Sequence, residues 1–161
     1  MLRWAIAPVL AMAMGLALPA WAGDAEDCDH SDALLKTAPV RAVTACSHLA
    51  EQGNAAAQFK IGEMYAKGEG LPEDEVEAMK WWLKAANQGY GNAQHNLAVS
   101  YFAGEDVPQD YVKAYMWWTL AANHGDSDAL KDRDNVAGKM TPAQIEQAKA
   151  LVAAWKPTTG Q

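Results

Sequence analysis

Few side chains in this sequence could carry out catalysis, and they are scattered along it. The histidines are His30, His48, His95 and His124. A nucleophilic enzyme needs a serine, cysteine or threonine within reach of a base, and the G-x-S-x-G and S-x-x-K patterns that provide one are absent from the sequence. The residues therefore predict no catalytic site.

The densest group of possible metal ligands is the acidic run DAEDCDHSD at residues 24–32. Asp27, His30 and Asp32 could together hold a metal ion, because carboxylates and imidazoles are common ligands. Acidic segments near a terminus more often remain unordered. We therefore interpret the run as a flexible acidic start, and predict neither a metal nor another cofactor.

The first 22 residues have the features of a secretory signal peptide. Arg3 precedes an apolar run of about 15 residues, and Ala20, Trp21 and Ala22 form an A-x-A cleavage site. The run is shorter than the roughly 20 residues that span a bilayer. We predict cleavage between Ala22 and Gly23, export to the periplasm or beyond, and no membrane span in the mature chain.

The mature chain would have 139 residues (161 minus 22) and a net charge of -8, because cleavage removes Arg3 from a chain of net charge -7. Nucleic-acid binding depends on Lys and Arg patches, and the sequence has none, which excludes this partner. The length suits one domain with a real core, so we predict a single domain over residues 23–161 and a monomer.

A shift of 36 residues aligns the chain with itself. It superimposes glycine, glutamine, tyrosine, proline and aspartate positions, and also the phrase WW-x-x-AAN at residues 81–87 and 117–123. Ala57 and Ile61 share one face at helical spacing, Gly68 can end that helix and Asp74 can cap the next. Each period therefore predicts a helical hairpin, and the tandem copies predict a stack.

The small residues and tryptophans of the repeat predict how its helices pack. Gly62 corresponds to Ala98, which indicates close approach of two helices inside the hairpin. The paired tryptophans could form a sugar-stacking platform, but on a repeated helix packing between hairpins is the favoured interpretation. They are Trp81, Trp82, Trp117 and Trp118.

The two copies, AQFKIGEMYAKGEGLPEDEVEAMKWWLKAANQG and AQHNLAVSYFAGEDVPQDYVKAYMWWTLAANHG, resemble Sel-1-like repeats, which are relatives of tetratricopeptide repeats. CSHLAEQGN resembles the end of a degenerate unit, and MTPAQIEQAKALVAAW is similar to the closing helix of exported members. The resemblance implies an all-α fold, an α-α superhelix of antiparallel helical hairpins. Its predicted parts are a degenerate first hairpin (25–53), full repeats (54–89 and 90–125) and a C-terminal capping region (126–156).

The only two cysteines, Cys28 and Cys46, are predicted to pair, because an exported protein folds in an oxidising compartment. The repeat register places Cys28 at the position of Met64 on a first helix, and Cys46 at that of Trp82 on a second. Both lie about equally far from a turn near residue 37. Two buried thiols that do not pair are the alternative.

The resemblance also implies a concave face that binds a peptide or protein. Candidate residues lie opposite the buried side of each first helix, although solvated positions or contacts to the adjoining hairpin would look the same. They are Phe59, Lys60, Glu63, Lys67, His95, Asn96 and Val99. We predict an exported adaptor or regulator and no enzyme.

The alternative function is a weak hydrolase or β-lactam-binding protein of the cell envelope, since cysteine-rich exported relatives have been linked to β-lactams. This chain has one cysteine pair rather than one pair per repeat. Turnover of a chromogenic β-lactam would separate the two functions.

Overall fold

A computed structural model describes residues 23–158, and this part of the chain consists of helices without strands. The helices are α1 (Asp24–Asp29), α2 (Ser31–Thr37), α3 (Pro39–Glu51), α4 (Ala55–Lys67), α5 (Glu75–Asn87), α6 (Gly91–Ala103), α7 (Tyr111–Asn123), α8 (Ser127–Ala137) and α9 (Pro142–Ala154). The predicted signal peptide lies outside the described residues. Within residues 23–158, every helix is too short or too polar to cross a membrane.

Each helix from α3 to α7 packs on the helix that follows it, and α9 packs on α7. The two full repeats are the hairpins α4–α5 and α6–α7, which share the same caps on both sides of the turn. Gly68 and Gly104 end the first helices with φ of 64° and 70°, in the left-handed region that favours glycine. The side chains of Asp74 and Asp110 each accept a hydrogen bond from the backbone N–H three residues later. The predicted α-α superhelix of hairpins is confirmed.

Gly62 lies where α4 crosses α5, as its small size predicted. A Cβ atom added to this glycine would lie 2.5 Å from Trp82 Nε1 and 3.1 Å from the carbonyl oxygen of Ala78. Neither the Trp82 ring nor the Ala78 backbone could move away without a loss of packing energy. The loss of helix propensity at Gly62, about 1 kcal/mol relative to alanine, is therefore the cost of a close helix crossing.

Three of the four repeat tryptophans belong to one core. Trp82, Trp117 and Trp118 are buried together with alanines of α5 to α8. Trp81 differs, because its ring is half-buried, packs against the smaller core of α1, α3 and α4, and has Lys84 Nζ 3.6 Å from its centroid. The packing interpretation is thus correct for three rings and only partly so for Trp81.

The acidic run is helical, so our expectation of a flexible start was wrong. Two side chains of α3 bind its carboxylates. Arg41 donates two hydrogen bonds to Asp27, at 2.6 and 2.7 Å, and His48 donates one to Asp24. No cluster of three possible metal ligands occurs in the part of the chain that the structure describes.

The first hairpin is held by the two cysteines. Cys28 on α1 and Cys46 on α3 are buried, and their sulfur atoms lie 2.16 Å apart, at disulfide distance as predicted. Ala38 separates α2 from α3, which agrees with the turn expected near residue 37. Helix α3 lies 36 residues before α5, in register with the repeats, whereas α2 lies where the full repeats have their turn.

The C-terminal helix α9 closes the other end of the stack, as predicted. Thr141 and Gln144 form a capping box at its start, with Pro142 in the first turn. At its end, the ring of Trp155 lies 6.0 Å from the ring of His124, which follows α7. This contact anchors α9 on the last repeat hairpin.

Candidate binding surfaces

The seven predicted binding residues all lie on the first helices of the two repeats, α4 and α6. Their backbones lie opposite a side that is buried at Ala57 and Ile61 in α4 and at Leu97 in α6. Lys67 and Val99 are exposed, and the other five are half-buried. The half-buried members therefore have neighbours within the protein, and these neighbours determine what each side chain can offer a partner.

Lys60 is engaged inside the first hairpin. Its ammonium group donates to the carbonyl oxygens of Cys28 at 2.9 Å and Asp29 at 3.0 Å, and to Ser31 Oγ at 3.2 Å. These acceptors lie at the end of α1 and the start of α2. The ammonium group of Lys60 thus connects the end of α1 with the start of α2.

Three further candidates also have partners within the protein. The rings of Phe59 and Tyr90 have centroids 5.2 Å apart, which packs α4 against the start of α6. Glu63 accepts a hydrogen bond from Lys67 at 3.0 Å, one helical turn away. This hydrogen bond raises the pKa of Lys67, and its ammonium group stays charged at neutral pH.

His95 links α6 to the start of α8. Its Nδ1 donates to Asp126 Oδ2 at 2.7 Å, and its Nε2 lies 3.9 Å from Asp132 Oδ2. Burial raises the pKa of Asp126, but the N–H of Ala129 and the hydrogen bond from His95 outweigh it, so the pKa lies below its usual value. Asp126 is therefore an anion that fixes the imidazole.

A histidine oriented by an aspartate could serve as a base if a nucleophile stood beside it. Within residues 23–158, however, no hydroxyl or thiol group is hydrogen-bonded to His95. The His95–Asp126 hydrogen bond connects α6 with the start of α8.

A shallow cavity of about 320 Å³ lies between α4, α6 and the start of α8. It is lined by Phe59, Asn92, His95, Asn96, Asp126 and Asp128. Three of these six were predicted, and two of the others could have been found from the repeat. Asn92 lies one turn before Asn96, and Asp126 caps α8 at the position that Asn54 occupies before α4.

A second cavity, of about 560 Å³, lies where the turns of the two hairpins adjoin. It is lined by Glu73, Asp74, Glu75, Val76, Val99, Ser100, Ala103, Glu105, Asp106 and Val107. Only Val99 among them was predicted. Lys60, Glu63 and Lys67 line neither cavity, and binding by these three residues stays a prediction.

Stacked helical hairpins with a continuous face of first helices define a helical-repeat protein. Residues 55–90 and 91–126 each match the Sel1 repeat family. The chain therefore contains two Sel1 repeats, in agreement with the predicted resemblance. Sel1 repeats generally mediate protein interactions and are typically non-enzymatic scaffolds.

Two solved structures of similar fold support this assignment. One is a protective antigen of uropathogenic Escherichia coli with an SLR fold, at a TM-score of 0.75 and 28% identity over 82% of this chain. The other is a Sel1 repeat protein from Oxalobacter formigenes, at a TM-score of 0.62 and 33% identity over 68% of this chain. This chain covers only 29% and 47% of their respective lengths. No curated protein matches the sequence significantly.

Proposed function

We propose that this protein is an exported adaptor or regulator that binds another envelope protein through the face formed by α4, α6 and the start of α8. The observation that carries the proposal is the 320 Å³ cavity, to which all three elements contribute side chains. A ligand seated there would touch several repeat units at once, which is how helical-repeat proteins use their extended faces.

The chemistry of this cavity suits a polypeptide ligand. Asn92 and Asn96 offer amide donors and acceptors that can pair with a peptide backbone. Phe59 adds an aromatic surface, and Asp126 and Asp128 add negative charge at one side. Polar groups that surround a partly apolar surface are the usual composition of a non-obligate protein interface.

Export is part of the proposal, and two observations support it. Cys28 and Cys46 lie at disulfide distance, and such bonds persist in oxidising compartments such as the periplasm. Residues 1–22 have the composition of a signal peptide that ends at Ala22. We propose that the mature chain acts as a monomer in the periplasm.

Asn96→Arg is expected to weaken partner capture at least about tenfold, which corresponds to ~1.4 kcal/mol, because the longer side chain would fill the cavity. The partner is first identified by chemical crosslinking in the envelope fraction. Binding of the purified partner to each variant is then measured by surface plasmon resonance.

Leu83→Arg is the matched control, since Leu83 is an exposed position on α5 outside the cavity. Both substitutions should change the free energy of unfolding by no more than about 0.5 kcal/mol, as is usual at the protein surface. Equal capture by the two variants would refute the assignment of this face.

A further inference from the structure

The 560 Å³ cavity, which we call the acidic groove, has an apolar floor that water reaches. Val76 and Val99 are 47% and 44% exposed, and Ala103 and Val107 extend the same surface. Val76 comes from α5 and Val99 from α6, so the floor bridges the two repeats. Exposed apolar side chains gathered in one concavity are typical of a surface that a partner covers.

The rim of the acidic groove carries negative charge only. Its carboxylates are Glu73, Asp74, Glu75, Glu105 and Asp106, and no Lys or Arg lines it. Within residues 23–158, none of the five forms an ion pair with a basic side chain, whereas Glu63, Glu77 and Glu146 each pair with a lysine of their own helix. The rim charge is therefore not compensated by ion pairs within the protein.

Glu75 is the most enclosed of these carboxylates. Ser100 donates a hydrogen bond to Glu75 Oε1 at 2.9 Å, which joins α5 to α6 across the groove. Burial and the charges of Asp106, Glu73 and Glu105 raise the pKa of Glu75, and the hydrogen bond from Ser100 opposes this rise only in part. A cation placed in the groove would relieve this repulsion.

We propose that the acidic groove binds a basic segment of the protein partner, in which one apolar side chain sits between lysine or arginine residues. The apolar side chain would cover the valine floor, and the flanking cations would pair with the rim. Nucleic acid is unsuitable because its phosphates would meet like charge. The proposal rests on the proposed function and names the chemistry of the partner.

The position of the groove connects it with the face already described. Asn92, Asn96 and Val99 lie on one side of α6 at helical spacing, so the 320 Å³ cavity and the acidic groove follow one another along this helix. A bound segment can therefore extend from the amides into the groove. Charge complementarity would fix its direction and register.

The test uses a fluorescent ten-residue peptide with leucine at its centre and two lysines on each side, titrated with the oxidised mature protein. Two related peptides serve as probes. In one, glutamate replaces each lysine, and in the other, serine replaces the central leucine. Fluorescence anisotropy should show binding only for the basic peptide that contains leucine. This binding should weaken as the salt concentration rises. Failure of the basic peptide to bind, or equal binding of all three peptides, would overturn the proposal.

Matched variants separate the groove from the general acidity of the chain. Glu73→Gln combined with Glu105→Gln removes two rim charges, and Glu51→Gln combined with Glu146→Gln removes two exposed charges elsewhere. The first pair should weaken binding of the basic peptide at least tenfold and the second less than twofold. Equal weakening by both pairs would mean that net charge alone attracts the peptide.

Capture of the natural partner distinguishes this proposal from the proposed function. If Asn96→Arg weakens capture at least tenfold and the Glu73→Gln, Glu105→Gln pair does not, the face is correct and the groove assignment is wrong. If neither weakens capture, both proposals are wrong. Weakening of capture by both variants is the result that we expect.

Discussion

Replacing Trp118 with alanine is expected to lower the free energy of unfolding by about 3–5 kcal/mol, the usual cost of truncating a large buried aromatic residue. The ring is 3% exposed and lies in the larger core. Its centroid is 5.5 Å from that of Phe102, and His95 approaches it edge-on. The truncation would leave a cavity between α6 and α7 that rigid neighbours cannot fill.

Trp81→Ala is the matched control, because it removes the same side chain from a half-buried position. Part of this ring already lies in water, so the loss should be only about 1–2 kcal/mol. Urea unfolding followed by circular dichroism at 222 nm measures both values. A loss for Trp81→Ala equal to or greater than that for Trp118→Ala would contradict the assignment of the two rings.

Removal of the Cys28–Cys46 bond by a double serine substitution is expected to cost about 2–4 kcal/mol, since the bond closes a loop with a sequence separation of 18. The first hairpin depends strongly on this bond. Helices α1 and α2 have six and seven residues, too few to be stable alone, and this hairpin contains no tryptophan.

The effect of losing the bond should be local. Hydrogen exchange should accelerate in α1 to α3, which form one end of the stack, and change little in α6 and α7. Reduced wild-type protein is the control for the serine substitutions and should show the same pattern. Uniform acceleration, or none, would contradict the view that the bond stabilises the first hairpin in particular.

The repeated hairpins were predictable because their signals are local. Gly68 and Asp74 each lie within a few residues of the turn that they determine, and the 36-residue period repeats the same turn in the second hairpin. Helix α8 was not distinguished from the rest of the capping region, because its sequence, SDALKDRDNVA, is mostly polar, although it begins in register with α4 and α6.

Features that depend on distant residues were predicted less well. The acidic run folds as helix because Arg41, His48 and Lys60, at sequence separations of 14 to 32 residues, contact its side chains or its backbone. The acidic groove likewise forms only when two turns of different repeats adjoin. Periodicity indicated that Trp81 and Trp82 pack, but not which core each ring enters.

The central claim is that the face of α4, α6 and α8 binds another envelope protein, and photo-crosslinking in growing cells tests it most directly. A photoreactive phenylalanine derivative is placed singly at Asn92, Asn96 or Val99 along one side of α6, and at Leu83 on α5 as the control. We expect the three α6 positions to yield one common crosslinked product of higher mass and Leu83 to yield none. Absence of that product, or equal yield from Leu83, would contradict the claim.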